Sequence, residues 1–202
     1  MKVLLVGGSG TLGSAVLKEL KSNKNNYEII VAGRNSGDVR VDMSSVESIK
    51  NMFEQIGKVD HIISAAGSAA MKPIETLTNE DAMYSVQNKL IGQVNLVLVG
   101  QNYLNDKGSF TLITGVIKDQ PIKMGSMLSM VNAGVASFVK GAAIDFERDI
   151  RINCVSPSVF DESMEAYGEY FKGVKPVPVA NAAKCFIESI EGDMTGHEFI
   201  VY

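Results

Sequence analysis

The sequence predicts an α/β protein, a doubly wound parallel sheet of seven strands with helices on both faces. Two observations carry this reading. Short apolar runs alternate with amphipathic stretches along the whole chain, the pattern of strands buried on both faces and joined by covering helices. The first apolar run, Lys2 to Val6, also passes through a glycine-rich turn straight into an amphipathic segment. With 202 residues, 46% hydrophobic and 21% charged, the chain is long enough to bury one full core. Residues 1–202 read as a single domain of Rossmann type.

The elements follow in order. After the strand Lys2 to Val6, a helix from Leu12 to Lys21 carries Leu12, Ala15, Val16, Leu17 and Leu20 on one stripe. Tyr27 to Ala32 is a second strand and Val39 to Val41 a short third one. Ser44 with Glu47 three residues on reads as a capping box that opens a helix bearing Val46, Ile49, Met52, Phe53 and Ile56. Strand four is His61 to Ala65. Thr78 and Asp81 form a second capping pair, followed by a long amphipathic segment to about Leu104. Strand five is Phe110 to Thr114, a long helix spans about Ser126 to Phe146, and strand six is Arg151 to Val155. Glu162 to Val179, with aromatic residues, glycines and two prolines, reads as an excursion over the strand ends. A helix from Val179 to Glu191 leads to strand seven, Glu198 to Val201.

Composition narrows the partners. A net charge of −4, with 19 basic residues scattered rather than striped, argues against nucleic acid. No stretch approaches ~18 uninterrupted apolar residues, and the N-terminus turns to glycine before a signal-peptide apolar region forms, so no membrane is expected and the expected location is cytoplasmic. Cys154 and Cys185 lie in apolar segments, which suits reduced thiols better than a disulfide framework. His61 and His197 stand far apart, so no metal site is expected.

Gly7-Gly8-Ser9-Gly10-Thr11-Leu12-Gly13 contains G-x-G-x-x-G at Gly8, Gly10 and Gly13, placed between a strand and a helix. Absent side chains let the backbone approach a pyrophosphate, whose charge meets the unpaired N–H groups and positive dipole end of the helix. An acidic residue at the end of the second strand would select NAD. Here Gly33 is followed by Arg34, Asn35 and Ser36, and a guanidinium suits a 2′-phosphate, so the expected cofactor is NADP(H).

With these residues in place, the chain resembles the short-chain dehydrogenase/reductase family along nearly its whole length. Asp42-Met43 looks like the family's adenine-contacting aspartate and its neighbour. Ser64-Ala65-Ala66-Gly67 is similar to the Asn-Asn-Ala-Gly segment that ends strand four. Ile150 to Pro157 resembles the sixth strand with its turn, and Thr195 to Ile200 the last strand. The resemblance implies cofactor contacts at Asp42, Met43, Ala65, Ala66, Gly67 and Pro157, a small-molecule substrate, and a homodimer or homotetramer joined through the two long helices.

The family's chemistry rests on a serine after strand five and a Tyr-x-x-x-Lys in the next helix, and this chain departs from both. Spacing back from Phe138, Asp145 and Ile150-Arg151-Ile152-Asn153 puts the tyrosine position on Leu128 and the lysine position on Asn132. No tyrosine occurs between Tyr103 and Tyr167. Tyr103 with Lys107 repeats the spacing, but before strand five, in a polar turn. The serine position falls on Gly115, with Thr114 the nearest hydroxyl. The family's helix asparagine falls on Lys89, beside Asn88, and the threonine of its Pro-Gly-x-x-x-Thr turn is replaced near Asp161 and Glu162.

Two residues are the candidates for chemistry. An ammonium at Lys89 would polarise a carbonyl or, once desolvated, give up a proton near neutral pH. Thr114 would hydrogen-bond a substrate oxygen, unless it bonds the local backbone instead. Tyr167 and Tyr170 could reach a substrate from a lid, and Met124, Met127 and Met130 could line an apolar pocket. Lys118, Asp119 and Lys123 read as a solvated cluster. These features fit an NADP(H)-dependent oxidoreductase of small carbonyl or alcohol compounds with a non-standard proton donor. They also fit a non-catalytic NADP(H)-binding sensor or assembly protein on the same fold.

Overall fold

The computed structural model describes residues 1–202. Its strands are β1 Lys2–Val6, β2 Glu28–Gly33, β3 Val39–Arg40, β4 Val59–Ser64, β5 Leu104–Ile113, β6 Arg151–Pro157 and β7 Glu198–Val201. They form one sheet in the order β3-β2-β1-β4-β5-β6-β7, with every pairing parallel. The helices are α1 Thr11–Ser22, α2 Val46–Ile56, α3 Asn79–Ser85, α4 Gly92–Gly100, α5 Ser126–Asp145, the one-turn α6 Met164–Tyr167 and α7 Val179–Glu191.

A central parallel strand is buried on both faces, and β1 illustrates why its residues are apolar without alternation. Leu4 and Val6 join the side of the sheet that holds Phe53, Phe110 and Val135, while Val3 and Leu5 join the side that holds Val16, Phe186 and Phe199. Chain order reverses at β1, which has β2 on one side and β4 on the other. The connections therefore leave neighbouring strand ends in opposite directions and open a crevice above them.

Local signals decide most boundaries. α2 is capped by Ser45, whose side chain accepts from the Ser48 N–H, not by Ser44. The Ser44 hydroxyl is instead drawn 2.7 Å from the Asp42 carboxylate. The capping box at Thr78 and Asp81 is present as expected. The segment after it is three pieces: α3, a π-helical stretch Val86–Ile91, and α4. β5 begins six residues before Phe110 because Leu104 pairs with Val59, ahead of a register shift in that pairing. Tyr103 stacks on Phe53 at 4.8 Å, and Lys107 sits at φ 63 early in β5, so this Tyr-x-x-x-Lys pair lies at the end of the sheet away from the crevice.

α5 alone is long and apolar enough to cross a membrane by length and composition. Its Val131, Val135, Ala136 and Val139 are buried in the structure. Both cysteines are free; Cys154 is buried, and burial pushes its thiol up to about 12.

His61 lies in β4 with Nδ1 2.8 Å from the Ser109 hydroxyl and its ring against the edge of Tyr27. Burial, with the charge of Arg151, pushes its pKa down to about 4. The folded protein thus holds it neutral where the unfolded chain protonates it, so the stability it contributes is lost as pH falls from about 6.5 to about 4. Urea unfolding at pH 7 and pH 4 should show His61→Gln losing about 2–3 kcal/mol less than the wild type over that interval. Equal losses would remove this residue from the acid response.

Candidate functional site

The glycine turn is built from close approaches. Gly7 has φ 89, and a Cβ there would come 2.7 Å from Ala66 Cβ at the end of β4. A Cβ on Gly8 would come 2.7 Å from Val31 of β2, and one on Gly13 would come 2.0 Å from the Gly7 carbonyl oxygen. Gly10 caps α1 with no side-chain hydrogen bond and no acidic residue in the first turn. The first N–H to bond back is Ser14, 2.8 Å from the Gly10 carbonyl, which leaves the N–H groups of Thr11, Leu12 and Gly13 without an acceptor. Free N–H groups, the positive helix end and stripped side chains fit a pyrophosphate.

Two cavities run along the strand ends from this turn and share Ala66, Gly67 and Ser68. The first, about 380 Å³, is lined by Gly7, Ser9, Gly33, Arg34, Asn35, Ser36, Met43 and Asn88 among others. Arg34 is 59% exposed there, and its guanidinium reaches Asp42 at 3.1 Å and Asn88 at 3.2 Å. Asp42 is not on the cavity wall; it anchors Arg34. The Ser44 hydroxyl and N–H, with Arg34, hold its carboxyl below the usual aspartate value. Gly8, Gly10, Thr11 and Gly13 belong to the turn but line neither cavity, whereas Leu12, Ala65 and Pro157 face the second.

That second cavity, about 430 Å³, brings together Lys89, Thr114, Gly115, Leu128 and Asn132. Lys89 sits in the π-helical stretch, where one extra residue per turn displaces the backbone. Its stem presses on Gly67, whose Cβ would lie 3.0 Å from Lys89 Cγ. The ammonium makes no hydrogen bond or ion pair, and burial pushes its pKa down to about 8. Thr114 accepts from the Gly115 N–H and donates to Ser156 at 3.4 Å, a long contact. Leu128 and Asn132 project from α5.

Gln93 is a residue the sequence reading missed. Fully buried in α4, its amide donates to the Lys89 carbonyl at 3.2 Å and the Ile113 carbonyl at 2.9 Å, and accepts from the Ile113 N–H at 2.9 Å. It ties the π-helical stretch to the end of β5, so Lys89 and Thr114 are held as one unit. A lone glutamine in the apolar run Gly92–Gly100 was the available signal.

The excursion after β6 covers this cavity, with Phe160, Ser163, Tyr167 and Phe171 on its wall; Tyr170 is outside. None of Met124, Met127 and Met130 lines it; Met71 does. Lys118 is not solvated: its side chain is 9% exposed and pairs with Asp119 and with Glu198, the latter at 3.0 Å.

Fold and crevice together define a dinucleotide-binding α/β protein. The chain belongs to the short-chain dehydrogenase/reductase family: the family model described as enoyl-(acyl carrier protein) reductase matches residues 14–201. Among solved structures, the protein lin1944 from Listeria innocua is 50% identical over the full length of both chains, with a TM-score of 0.97. A small-chain dehydrogenase solved in complex with NADPH is 24% identical, covers 100% of this chain and 96% of its own, and has a TM-score of 0.87. The bifunctional ribulose 5-phosphate reductase/CDP-ribitol pyrophosphorylase of Haemophilus influenzae is 26% identical over 161 residues, 77% of this chain. The chain spans 33% of the length of that protein.

The turn itself yields a prediction. Gly13→Ala forces a Cβ onto backbone and should cost about 1–3 kcal/mol in urea unfolding. Gly10→Ala, whose Cβ meets nothing nearer than 3.7 Å, should change stability by less than ~1 kcal/mol. A similar cost at both positions would contradict the close packing.

Proposed function

We propose that the protein is an NADP(H)-dependent oxidoreductase acting on a small carbonyl or alcohol compound as one dinucleotide-binding domain, with Lys89 in the place of the usual proton donor. The observation that carries this is the unpaired Lys89 ammonium on the wall of the second cavity beside Thr114. The NADPH bound by the small-chain dehydrogenase of similar fold is in keeping with it.

When bound, the dinucleotide supplies or takes the hydride. Gly7 to Gly13, with Ser9 and the N–H groups of Thr11 and Leu12, cradle the pyrophosphate; Arg34, with Asn35 and Ser36, receives the 2′-phosphate. Asp42 and Met43 border the adenine end, and Ala65, Ala66, Gly67 and Pro157 wall the path between the two cavities. Lys89 donates a hydrogen bond to the carbonyl oxygen and passes it a proton as it becomes a hydroxyl. Thr114 offers its hydroxyl proton to the same oxygen, which at ordinary hydrogen-bond length is a better acceptor than Ser156 at 3.4 Å. Exposed Leu98 on α4 and Met130 and Ile144 on α5 supply an apolar face for a homodimer or homotetramer.

Leu128 favours a second reading. It cannot move a proton, and a cavity with no turnover would suit a sensor or assembly protein that reports NADP(H) occupancy.

Fluorescence titration with NADPH and NADH tests the first step. Arg34→Ala should weaken NADPH binding at least tenfold, the loss of one charge-assisted contact of roughly 1.5–3 kcal/mol, and leave NADH nearly unchanged. Equal losses would sink the NADP(H) assignment.

Turnover tests the second step. The folded protein depresses the Lys89 pKa from 10.5 to about 8, so the charged, proton-giving form is present below that pH and lost above it. Carbonyl reduction should therefore decline as pH rises through about 8. Lys89→Met should reduce the rate ~100-fold and flatten that limb, and Thr114→Val should lower it less. A rate unaffected by either change would remove both residues from the chemistry.

A further inference from the structure

Beyond the hydride chemistry, we infer that Lys89 is a covalent binding site for uncharged, apolar aldehydes, whose carbonyl carbon its Nζ takes up as an imine inside the second cavity. Buried lysines are ordinarily paired, because an isolated ammonium is costly away from water. Lys89 is 7% exposed and forms no hydrogen bond or ion pair, and no carboxylate stands on the wall of either cavity. Its tip is nevertheless reachable. Asn132 Oδ1 and Glu198 Oε1 are the buried side-chain polar atoms sealed from solvent with no hydrogen-bond partner. Lys89 Nζ also lacks a partner but is not one of these sealed atoms, so it keeps accessible surface, and the residue lines the second cavity.

The rest of the residue is held. A Cβ on Gly67 would lie 3.0 Å from Lys89 Cγ, so the stem packs directly on the turn after β4, and Gln93 donates to the Lys89 carbonyl at 3.2 Å. Met71, Ile117, Leu128, Val159 and Phe160 share the wall. An amine kept among such groups is driven to its neutral form, which carries the nucleophilic lone pair. Burial alone lowers the Lys89 pKa, to about 8, with no neighbouring charge contributing. Nζ adds to the aldehyde carbon to form a C–N bond. Its two hydrogens leave with the carbonyl oxygen as water, and C=N replaces C=O with nothing oxidised or reduced. The proton-giving role belongs to the charged amine and this one to the neutral amine. An aldehyde bearing a carboxylate would bury that charge with no second cation on the wall.

Reductive trapping tests this on the full chain without requiring turnover. Benzaldehyde and sodium cyanoborohydride at pH 8 convert an imine into a stable benzyl amine, which peptide mass mapping assigns to a residue. About half of the Lys89 amine is neutral at that pH, against less than ~1% of an ordinary lysine. Lys89 should therefore be labelled at least tenfold faster than Lys50, which is exposed on α2. Urea unfolding should erase the difference, and with glyoxylate in place of benzaldehyde the ratio of Lys89 to Lys50 labelling should fall.

Labelling of Lys89 no faster than Lys50 overturns the inference, as does a Lys89 preference that survives in urea or that rises with glyoxylate. A carbonyl reduction rate that depends on Lys89 in a protein giving no Lys89 adduct would defeat this inference and leave the oxidoreductase reading standing. Preferential trapping at Lys89 in a protein whose reduction rate is unchanged in Lys89→Met would support it and remove the proton-donor role.

Discussion

Gly7 and Ala66 meet where β1 and β4 run side by side, and a Cβ at Gly7 would stand 2.7 Å from Ala66. That contact fixes how closely the first turn and the end of β4 converge. Because strand order reverses at β1, the following helix and the following loop diverge from this point, and the crevice between them becomes both cavities. Ala66 and Gly67 stand on the walls of each. The same glycines that let the chain turn leave the first N–H groups of α1 unsatisfied, so the packing constraint and the anion site are one feature.

Polar groups in the second cavity obey a complementary logic. Gln93 takes up the Lys89 and Ile113 backbone groups that a π-helical stretch beside a strand end would otherwise strand. Relieved of backbone duty, the Lys89 side chain and the Asn132 amide remain unpaired. The family resemblance places a lysine at 132 and an asparagine at 89, and this chain carries the same two residue types interchanged across the cavity. The charge on this wall comes from the π-helical stretch.

Much of the fold was legible because periodicity is a local property. α7 and β7 have the bounds their apolar patterns predict, and the Thr78 capping box is where its spacing put it. The apolar pattern predicts a shorter β5 because the pairing of Leu104 with Val59 precedes a polar stretch that resembles a loop. The Ser44–Glu47 spacing predicts a cap, but the helix starts one residue later, where the Ser45 hydroxyl accepts from the Ser48 N–H, and the Ser44 hydroxyl donates to Asp42 at 2.7 Å. Neighbouring residues predict a solvated Lys118 because its partner, Glu198, lies 80 residues away in sequence.

The sequence by itself determined the strand and helix succession, the glycine turn, the basic residue after β2 and the absence of a tyrosine between Tyr103 and Tyr167. Each depends on residue type and near neighbours. Only the tertiary structure decided that Lys89 is buried without a counter-charge, that Gln93 braces it, and that Asn132 stands beside the same cavity with its amide oxygen sealed and unpartnered. Whether a polar group is satisfied depends on what α4, α5 and β5 bring within about 3 Å of it, and chain spacing does not encode that distance.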